Sequence, residues 1–275
     1  MSDKSALVLG AVAYDAKVVP IWEGFRAYFE AHELPFDYVL FSNYERQVEA
    51  QLAGAIDVAW NSPLAWIETA RAAPGRARAI AMRDTDCDLT SVVLAKPGVR
   101  ALADLRGKRV AVGAADSPQA TLIPLVAFAE AGLRPGLDIE VVRHDVHVGK
   151  HGDHIGGERD AVRALLEGRA DAACVIDGNR LAFAREGLFG PNELAVVHQT
   201  PPYDHCNFTV LTSSPSIDRF RALLLAMSYH DPTVRPLLDM EGLKQWREGR
   251  TTGYAQLARA VDRFQTIEAW LARQH

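Results

Sequence analysis

A duplicated segment constrains the fold of this chain more than any other feature. The duplication is visible when two runs are compared, Ala50-Gln51-Leu52-Ala53-Gly54-Ala55-Ile56-Asp57-Val58-Ala59 and Ala164-Leu165-Leu166-Glu167-Gly168-Arg169-Ala170-Asp171-Ala172-Ala173. Each run predicts the end of a helix, a glycine that caps it, and an aspartate that opens a strand. The runs lie about 114 residues apart. Because solenoid repeats recur every ~20–50 residues, this spacing instead predicts two similar lobes.

Strands and helices alternate along the chain. Strands are predicted at 6–13, 36–41, 56–60, from 109, and at 138–142, 172–176 and 206–211. Helices are predicted at 18–31, 44–53, from 63, at 118–131, near 159–167, and at the end of the chain, where Leu257, Val261, Phe264 and Leu271 mark the core face. This order predicts an α/β fold of mostly parallel sheets, covered by helices on both faces.

Clusters of turn residues divide the chain into three stretches. Lys96-Pro97-Gly98 interrupts the first alternating pattern, and turn residues return at Gln199–Pro202. We therefore expect residues 1–95 to form the first part of lobe 1 and residues 96–200 to form lobe 2. Residues 201–275 are expected to return to lobe 1 with the C-terminal helices. A ligand cleft is expected between the lobes.

Composition narrows the possible partners. The 275 residues are 48% hydrophobic and 24% charged, which is typical of a globular protein. The net charge of -5 argues against a nucleic-acid partner. No apolar run reaches the ~18 residues of a membrane span, so no membrane insertion is expected.

Cysteine usage and the N-terminus both bear on location. Cys87, Cys174 and Cys206 are odd in number and far apart, so no disulfide framework is indicated, and reduced thiols suit a reducing compartment. The apolar run 6–13 follows Lys4 but is shorter than a secretion signal, which has ~15–30 residues, and we interpret it as a strand. These features predict a cytoplasmic protein, for which a transporter partner is doubtful.

The chain resembles a known family. The resemblance rests on the two duplicated runs and on Asp104-Leu105-Arg106-Gly107-Lys108-Arg109-Val110-Ala111 between them. Together they resemble the type II periplasmic binding-protein fold, and are most similar to the phosphate- and phosphonate-type solute-binding proteins of ABC transporters, over about residues 6–215. The resemblance implies two α/β lobes that are joined by two crossovers and close on a small oxyanion. It implies no chemistry.

Two helix starts share one design. Ser62-Pro63 and Ser117-Pro118 each follow a predicted strand and combine an N-cap serine with proline at the first helical position. Such starts offer backbone N–H groups and the positive end of the helix dipole to an anion. We expect both to open on a shared cleft that holds a phosphate, phosphonate, sulfonate or carboxylate. The alternative is that both are ordinary caps.

Further ligand contacts are expected near the ends of strands and at the crossovers. His205 belongs to the run Asp204-His205-Cys206-Asn207, in which Cys206 is interpreted as a buried structural cysteine rather than a nucleophile. The complete set of predicted ligand-binding residues is Tyr14, Asn61, Ser62, Thr90, Ser91, Ser117, Gln119, Thr121, Asp177 and His205.

A histidine-rich loop, residues 144–158, leaves three interpretations open. Four of the nine histidines fall within this loop, among glycines that disfavour a helix. His151, His154 and Glu158 could bind a divalent metal. Alternatively, His154 and Glu158 could act as catalytic acid and base or contact the ligand directly. The third interpretation is a solvated loop without a function, so no cofactor is certain.

The preferred function is binding of a small anionic or zwitterionic molecule in a cleft between the lobes. The alternative is a cytoplasmic enzyme on the same fold, a lyase or a hydrolase, that uses the histidine-rich loop for acid–base or metal-assisted chemistry. A cytoplasmic sensor is a third possibility. The fold alone does not decide between them.

Overall fold

The computed structural model describes residues 6–146 and 155–264. His147, His151 and His154 of the histidine-rich loop and Leu271 of the final helix lie outside these ranges. The strands and helices are, in chain order, β1 (Leu7–Val12), α1 (Val18–Ala31), β2 (Phe36–Phe41), α2 (Tyr44–Leu52), β3 (Val58–Asn61), α3 (Pro63–Ala72), β4 (Arg78–Arg83), β5 (Ser91–Ala95), β6 (Arg109–Val112), α4 (Ile123–Glu130), β7 (Glu140–Arg143), α5 (Ile155–Leu166), β8 (Ala172–Ile176), α6 (Asp177–Arg185), β9 (Ala195–Gln199), β10 (Asn207–Val210), α7 (Pro215–Ala226), α8 (Arg235–Glu241), β11 (Trp246–Glu248) and α9 (Ala255–Arg263).

The chain divides into two compact units. The first unit contains the residues up to Cys87 together with Asp204–Tyr254. The second contains Asp88–Tyr203 together with α9. The divisions thus fall after residues 87 and 203. The sequence analysis places them after residues 95 and 200, and it assigns the whole C-terminal stretch to lobe 1. In the structure, α9 packs against α4 of the second unit through an apolar face that includes Leu257 and Val261.

The first unit is built on a six-stranded sheet in the order β11-β4-β10-β3-β1-β2. β1 pairs in parallel with β2 and β3, while β10 is antiparallel to β3 and β4. Aromatic side chains from α1, including Trp22, Phe25 and Phe29, pack with Phe208 and Trp246 in its core. The predicted α/β fold is confirmed, and the sheet is mixed, since β10 re-enters it in the opposite direction.

The second unit has a five-stranded sheet in the order β7-β6-β8-β5-β9. β6 is parallel to β7 and β8, and β5 is antiparallel to β8 and β9. This sheet is also mixed, because β5 carries the chain into the unit and runs against its neighbours. β4, β5, β9 and α6 were not predicted from the sequence.

The duplicated runs have the same structure in both units. Gly54 and Gly168 end their helices with φ of 74° and 75°, a backbone conformation that glycine adopts without strain. Each aspartate then accepts a hydrogen bond from the neighbouring strand: Asp57 Oδ2 from Val8 N at 2.8 Å, and Asp171 Oδ2 from Arg109 N at 2.9 Å. The aspartate therefore joins the start of one parallel strand to the next in each unit.

Within the described residues, no helix has both the length and the apolar character that a membrane span requires.

Candidate ligand-binding site

Both predicted serine caps are present. Ser62 Oγ accepts a hydrogen bond from Ala65 N at 3.1 Å, and Ser117 Oγ accepts one from Ala120 N at 3.2 Å. A third Ser-Pro start, at Ser214, caps α7 in the same way. Ser62 and Ser117 are buried, whereas Ser214 is half-buried. The cap is therefore a local folding signal, and the buried setting is what distinguishes the two candidate starts.

The helix start at Ser117 is the more elaborate of the two. The chain leaves β6 and enters a π-helical turn, Pro118–Leu122, that continues directly into α4. Leu122 N donates to Ser117 O at 2.9 Å, which closes this wider turn. Thr121 is fully buried, and its Oγ1 has no hydrogen-bond partner among the described residues. A buried hydroxyl in that state costs free energy unless a ligand or water satisfies it.

Two glycines allow the segments around this turn to approach closely. A Cβ on Gly113 would lie 2.8 Å from the Cβ of Ala120. A Cβ on Gly157, in the first turn of α5, would lie 2.6 Å from His144 O and 3.8 Å from Ala114 N. The start of α5 therefore packs against the segment that leaves β6. His144 is half-buried, and burial lowers the pKa of its imidazole.

Ser91 links the turn to the end of the second unit. Its Oγ donates to Gln119 O at 2.5 Å and accepts from the Tyr203 hydroxyl at 2.7 Å. Burial raises the pKa of Tyr203, and the nearby charge of Glu158 raises it further, so this hydroxyl stays protonated as a donor. The Ser91 hydroxyl is thus a structural link, and Tyr203 is a neighbour that sequence analysis missed.

Glu158 is 1% exposed and lies in the first turn of α5. Its Oε2 accepts hydrogen bonds from Ile176 N at 2.9 Å and Asn179 Nδ2 at 3.0 Å. These contacts anchor α5 to the junction of β8 and α6. His151 and His154, its proposed partners in metal binding or acid–base catalysis, lie outside the described residues, so that hypothesis stays a prediction.

Thr90 and Asp177 lie together at one edge of the second unit. Asp177 N donates to Thr90 O at 2.8 Å, and Thr90 Oγ1 accepts from Gln199 Nε2 at 3.0 Å. The Asp177 carboxylate accepts from Arg180 Nε at 2.6 Å. Both side chains therefore already have protein partners, and Asp177 is the first residue of α6.

In the first unit, the polar end of β3 is fully buried. Asn61 Oδ1 accepts from Gln47 Nε2 at 2.8 Å, while Asn61 Nδ2 has no hydrogen-bond partner in residues 6–146 and 155–264. Asn61 immediately precedes the Ser62 cap. Tyr14, the other predicted residue at this end of the sheet, is half-buried, and Lys17 Nζ lies 5.4 Å from its ring centroid.

His205 lies in a buried polar cluster. Its Nδ1 is 3.2 Å from Cys206 Sγ and 3.4 Å from Asp86 Oδ1. Arg83 binds both oxygens of Asp86, at 2.5 and 3.1 Å. Burial opposes ionisation of Asp86, but Arg83 and His205 outweigh it and lower the Asp86 pKa to about 2. The Arg-x-x-Asp spacing was the sequence signal for this pair, and it was missed.

The structure thus groups the predicted residues within each unit. In the second unit, hydrogen bonds or adjacency in sequence bring together Ser91, Ser117, Gln119 and Thr121. In the first unit, Asn61 and Ser62 are adjacent in sequence. The expectation that both helix starts open on one cleft stays a prediction.

Each of the two α/β units thus contains a mixed sheet and a buried, serine-capped helix start. Residues 11–254 match the family described as ABC transporter, phosphonate, periplasmic substrate-binding protein. The chain belongs to this family, which confirms the resemblance drawn from the sequence. The family is one of binding proteins, so the enzyme alternative finds no support.

Solved structures share the fold. PhnD1 of Prochlorococcus marinus, in complex with methylphosphonate, is 16% identical with a TM-score of 0.66, covering 94% of this chain and 98% of that one. A Xanthomonas citri protein bound to ATP is 17% identical with a TM-score of 0.70 and the same coverage. The periplasmic aliphatic sulphonate binding protein SsuA of Escherichia coli is 18% identical with a TM-score of 0.54, covering 94% of this chain and 86% of that one. At these identities the likeness concerns the fold alone.

A curated relative is more similar in sequence over a shorter stretch. A Brucella abortus protein, whose name assigns it provisionally to the binding proteins, is 29% identical over 118 residues. The alignment covers 42% of this chain and 34% of that protein, so the chain spans about a third of its relative's length.

The family corrects the expected location. Its members are periplasmic, so the expectation of a cytoplasmic protein is wrong. Residues 7–12 do form the buried strand β1, but a strand there carries no information about the compartment. The reduced thiols were also a weak guide, since Cys174 and Cys206 are buried and need no reducing surroundings to persist.

Proposed function

We propose that this protein binds a small phosphonate-like anion or zwitterion through the helix start at Ser117. The main observation in support of this proposal is the buried Thr121 hydroxyl, which has no hydrogen-bond partner among the described residues. It lies one helical turn after the capping serine, at the end of the helix where the positive end of the dipole favours an anion. The family assignment supports the same class of ligand.

The charge of Glu158 favours a ligand that also carries a cationic group. Its carboxylate is close enough to raise the pKa of Tyr203 and of Cys174. A purely anionic ligand beside it would be repelled, whereas an amino group would be attracted. We therefore expect an aminoalkylphosphonate to bind more tightly than methylphosphonate, and Glu158→Gln to narrow that difference.

Thr121→Val tests the proposal most sharply. Valine has the same shape but removes a hydroxyl that the protein itself does not satisfy, so the unliganded protein should be equally stable or more stable. Affinity for methylphosphonate, measured by calorimetry, should fall about 10- to 100-fold, as expected for a lost hydrogen bond to a charged group. Equal affinity of Thr121→Val and the wild type would contradict the proposal.

Ser117→Ala and Ser214→Ala form a matched pair. Both remove the cap of a Ser-Pro helix start, so both should destabilise the protein by about 1 kcal/mol. Under the proposal, only Ser117→Ala also weakens anion binding. Equal losses of affinity in the two variants would show that capping, and not ligand contact, is what the serine supplies.

Asn61 is the corresponding candidate in the first unit. Its Nδ2 is a buried donor with no partner among the described residues, next to the Ser62 cap. We propose that this amide group donates a hydrogen bond to the ligand. Asn61→Asp should weaken binding of an anion more than Asn61→Ser, because it replaces a donor with a negative charge.

The family also supports a membrane transporter as the partner of the loaded protein. In vesicles containing a phosphonate ABC transporter, ligand-loaded wild-type protein should stimulate ATP hydrolysis, and Thr121→Val should do so only at higher ligand concentration. No stimulation at saturating ligand would argue against this partner.

A further inference from the structure

A buried cluster in the first unit, made of residues that the proposed anion site does not use, has the composition of a metal site. We propose that Asp86, His205 and Cys206 bind a thiophilic divalent cation of the zinc class. One donor atom from each residue lies within 4.8 Å of the others. All three residues are buried: Asp86 and Cys206 are 2% exposed and His205 is 7% exposed.

The geometry distinguishes this cluster from a catalytic triad. In a triad the nucleophile and the carboxylate bind opposite nitrogens of the imidazole. Here Cys206 Sγ and Asp86 Oδ1 both lie at Nδ1 of His205, at 3.2 and 3.4 Å. One Nδ1–H can serve only one of them well. A cation at the common point would instead be bound by all three.

The separations fit a tetrahedral ion. Typical zinc–sulfur, zinc–nitrogen and zinc–oxygen bonds place neighbouring ligand atoms about 3.4–3.6 Å apart. The two separations from His205 Nδ1, 3.2 and 3.4 Å, fall at or slightly below this range, and the third, between Cys206 Sγ and the Asp86 carboxylate, is within 4.8 Å. Thiolate, imidazole and carboxylate together are a ligand set that zinc accepts.

The surrounding charges favour a dication. Arg83 is paired with the carboxylates of Asp86 and Glu241, which leaves one negative charge on these three residues. Binding at Cys206 releases the thiol proton and leaves a thiolate, which adds a second negative charge that a divalent cation balances. Arg83 also orients Asp86, since each carboxylate oxygen can accept its hydrogen bond and keep a lone pair for a metal.

The position of the cluster suggests what the ion would do. Asp86 lies two residues before Asp88, where the chain enters the second unit, and His205 lies two residues after Tyr203, where that segment ends. The two segments are already joined by a hydrogen bond from His205 N to Asp86 O at 2.9 Å. A bound ion would reinforce that link and raise the thermal stability of the first unit.

Titration of chelator-treated, tag-free full-length protein with Zn²⁺ and with Co²⁺ tests the proposal. We expect one ion per chain, a thiolate-to-cobalt charge-transfer band, and a higher melting temperature with Zn²⁺. Cys206→Ser should remove the band and weaken Zn²⁺ binding at least about tenfold. Cys87→Ser, which alters the neighbouring half-buried thiol, should retain both.

The histidine-rich loop provides the second control. A double variant His151→Ala and His154→Ala should keep the cobalt band. Loss of the band in that variant, its persistence in Cys206→Ser, or no metal binding by the wild type would each overturn the proposal. His205→Gln provides a second ligand variant if Cys206→Ser does not fold. Affinity for methylphosphonate is measured in parallel. A failure of the metal site can therefore be distinguished from a failure of the proposed anion site.

Discussion

The Tyr203 hydroxyl lies 2.7 Å from Ser91 Oγ, although 112 residues separate the two in sequence. Ser91 opens β5, and Tyr203 is also bound to Leu89 through paired backbone hydrogen bonds at 2.8 Å. Because Ser91 in turn donates to Gln119 O, one chain of hydrogen bonds connects the end of the second unit to the proposed anion-binding turn.

Tyr203→Phe should therefore loosen that turn. The ring remains and only the hydroxyl is lost, so we expect destabilisation of about 1 kcal/mol in urea unfolding. Affinity for methylphosphonate should fall by a smaller factor than in Thr121→Val, because Tyr203 acts through Ser91. Unchanged stability would show that the bond contributes nothing.

Gly157→Ala and Gly178→Ala should have opposite effects. The new Cβ at position 157 would lie 2.6 Å from the backbone oxygen of His144, so the start of α5 must shift and stability should fall by about 1–3 kcal/mol. At position 178, in α6, no described atom beyond the adjacent residues and the helix's own backbone lies within 4 Å of the new Cβ. That variant should be neutral or stabilised by up to about 1 kcal/mol, since alanine favours a helix. Chemical denaturation of both variants measures the difference, and similar losses would contradict the packing argument.

The duplicated aspartates can be tested with paired substitutions. Asp57→Ala removes the acceptor for Val8 N and should cost about 1 kcal/mol. Asp57→Asn keeps an oxygen at the same place and should cost less. Unfolding midpoints of the two variants provide the comparison, and an equal loss in both would mean that charge, rather than the hydrogen bond, is what matters.

Local signals explain how much of the fold was predictable. The helix over residues 18–31 and the strands over 36–41 and 172–176 coincide with the observed elements, because apolar spacing and β-branched residues determine them locally. Among the residues that the structure describes, the missed β9 pairs only with β5, so its formation depends on a partner that is distant in sequence. Asp177-Gly178-Asn179 has the composition of a turn, yet α6 begins there.

The local contacts of the candidate site were predictable to the same extent, and its role in ligand binding stays a prediction. The caps at Ser62 and Ser117 follow from two adjacent residues and were found. The Ser91–Tyr203 link and the Asp86–His205 contact join segments more than 100 residues apart, and no spacing rule reveals such pairs in one sequence.

Cys174 provides a prediction for pH dependence. Burial raises the pKa of its thiol well above its ordinary value of 9.0, and the charge of Glu158 adds to the effect. A thiol whose pKa is raised by folding stabilises the folded state below the pKa of the unfolded chain, and this contribution is lost as the pH rises above it. The free energy of unfolding of the wild type should therefore fall more steeply between pH 8 and 10 than that of Cys174→Ala.

In the folded protein, iodoacetamide should label the half-buried Cys87 before Cys174, and raising the pH from 7.5 to 9 should not accelerate labelling of Cys174. Parallel pH profiles for wild type and variant, or prompt labelling of Cys174, would mean that this thiol ionises in the folded state.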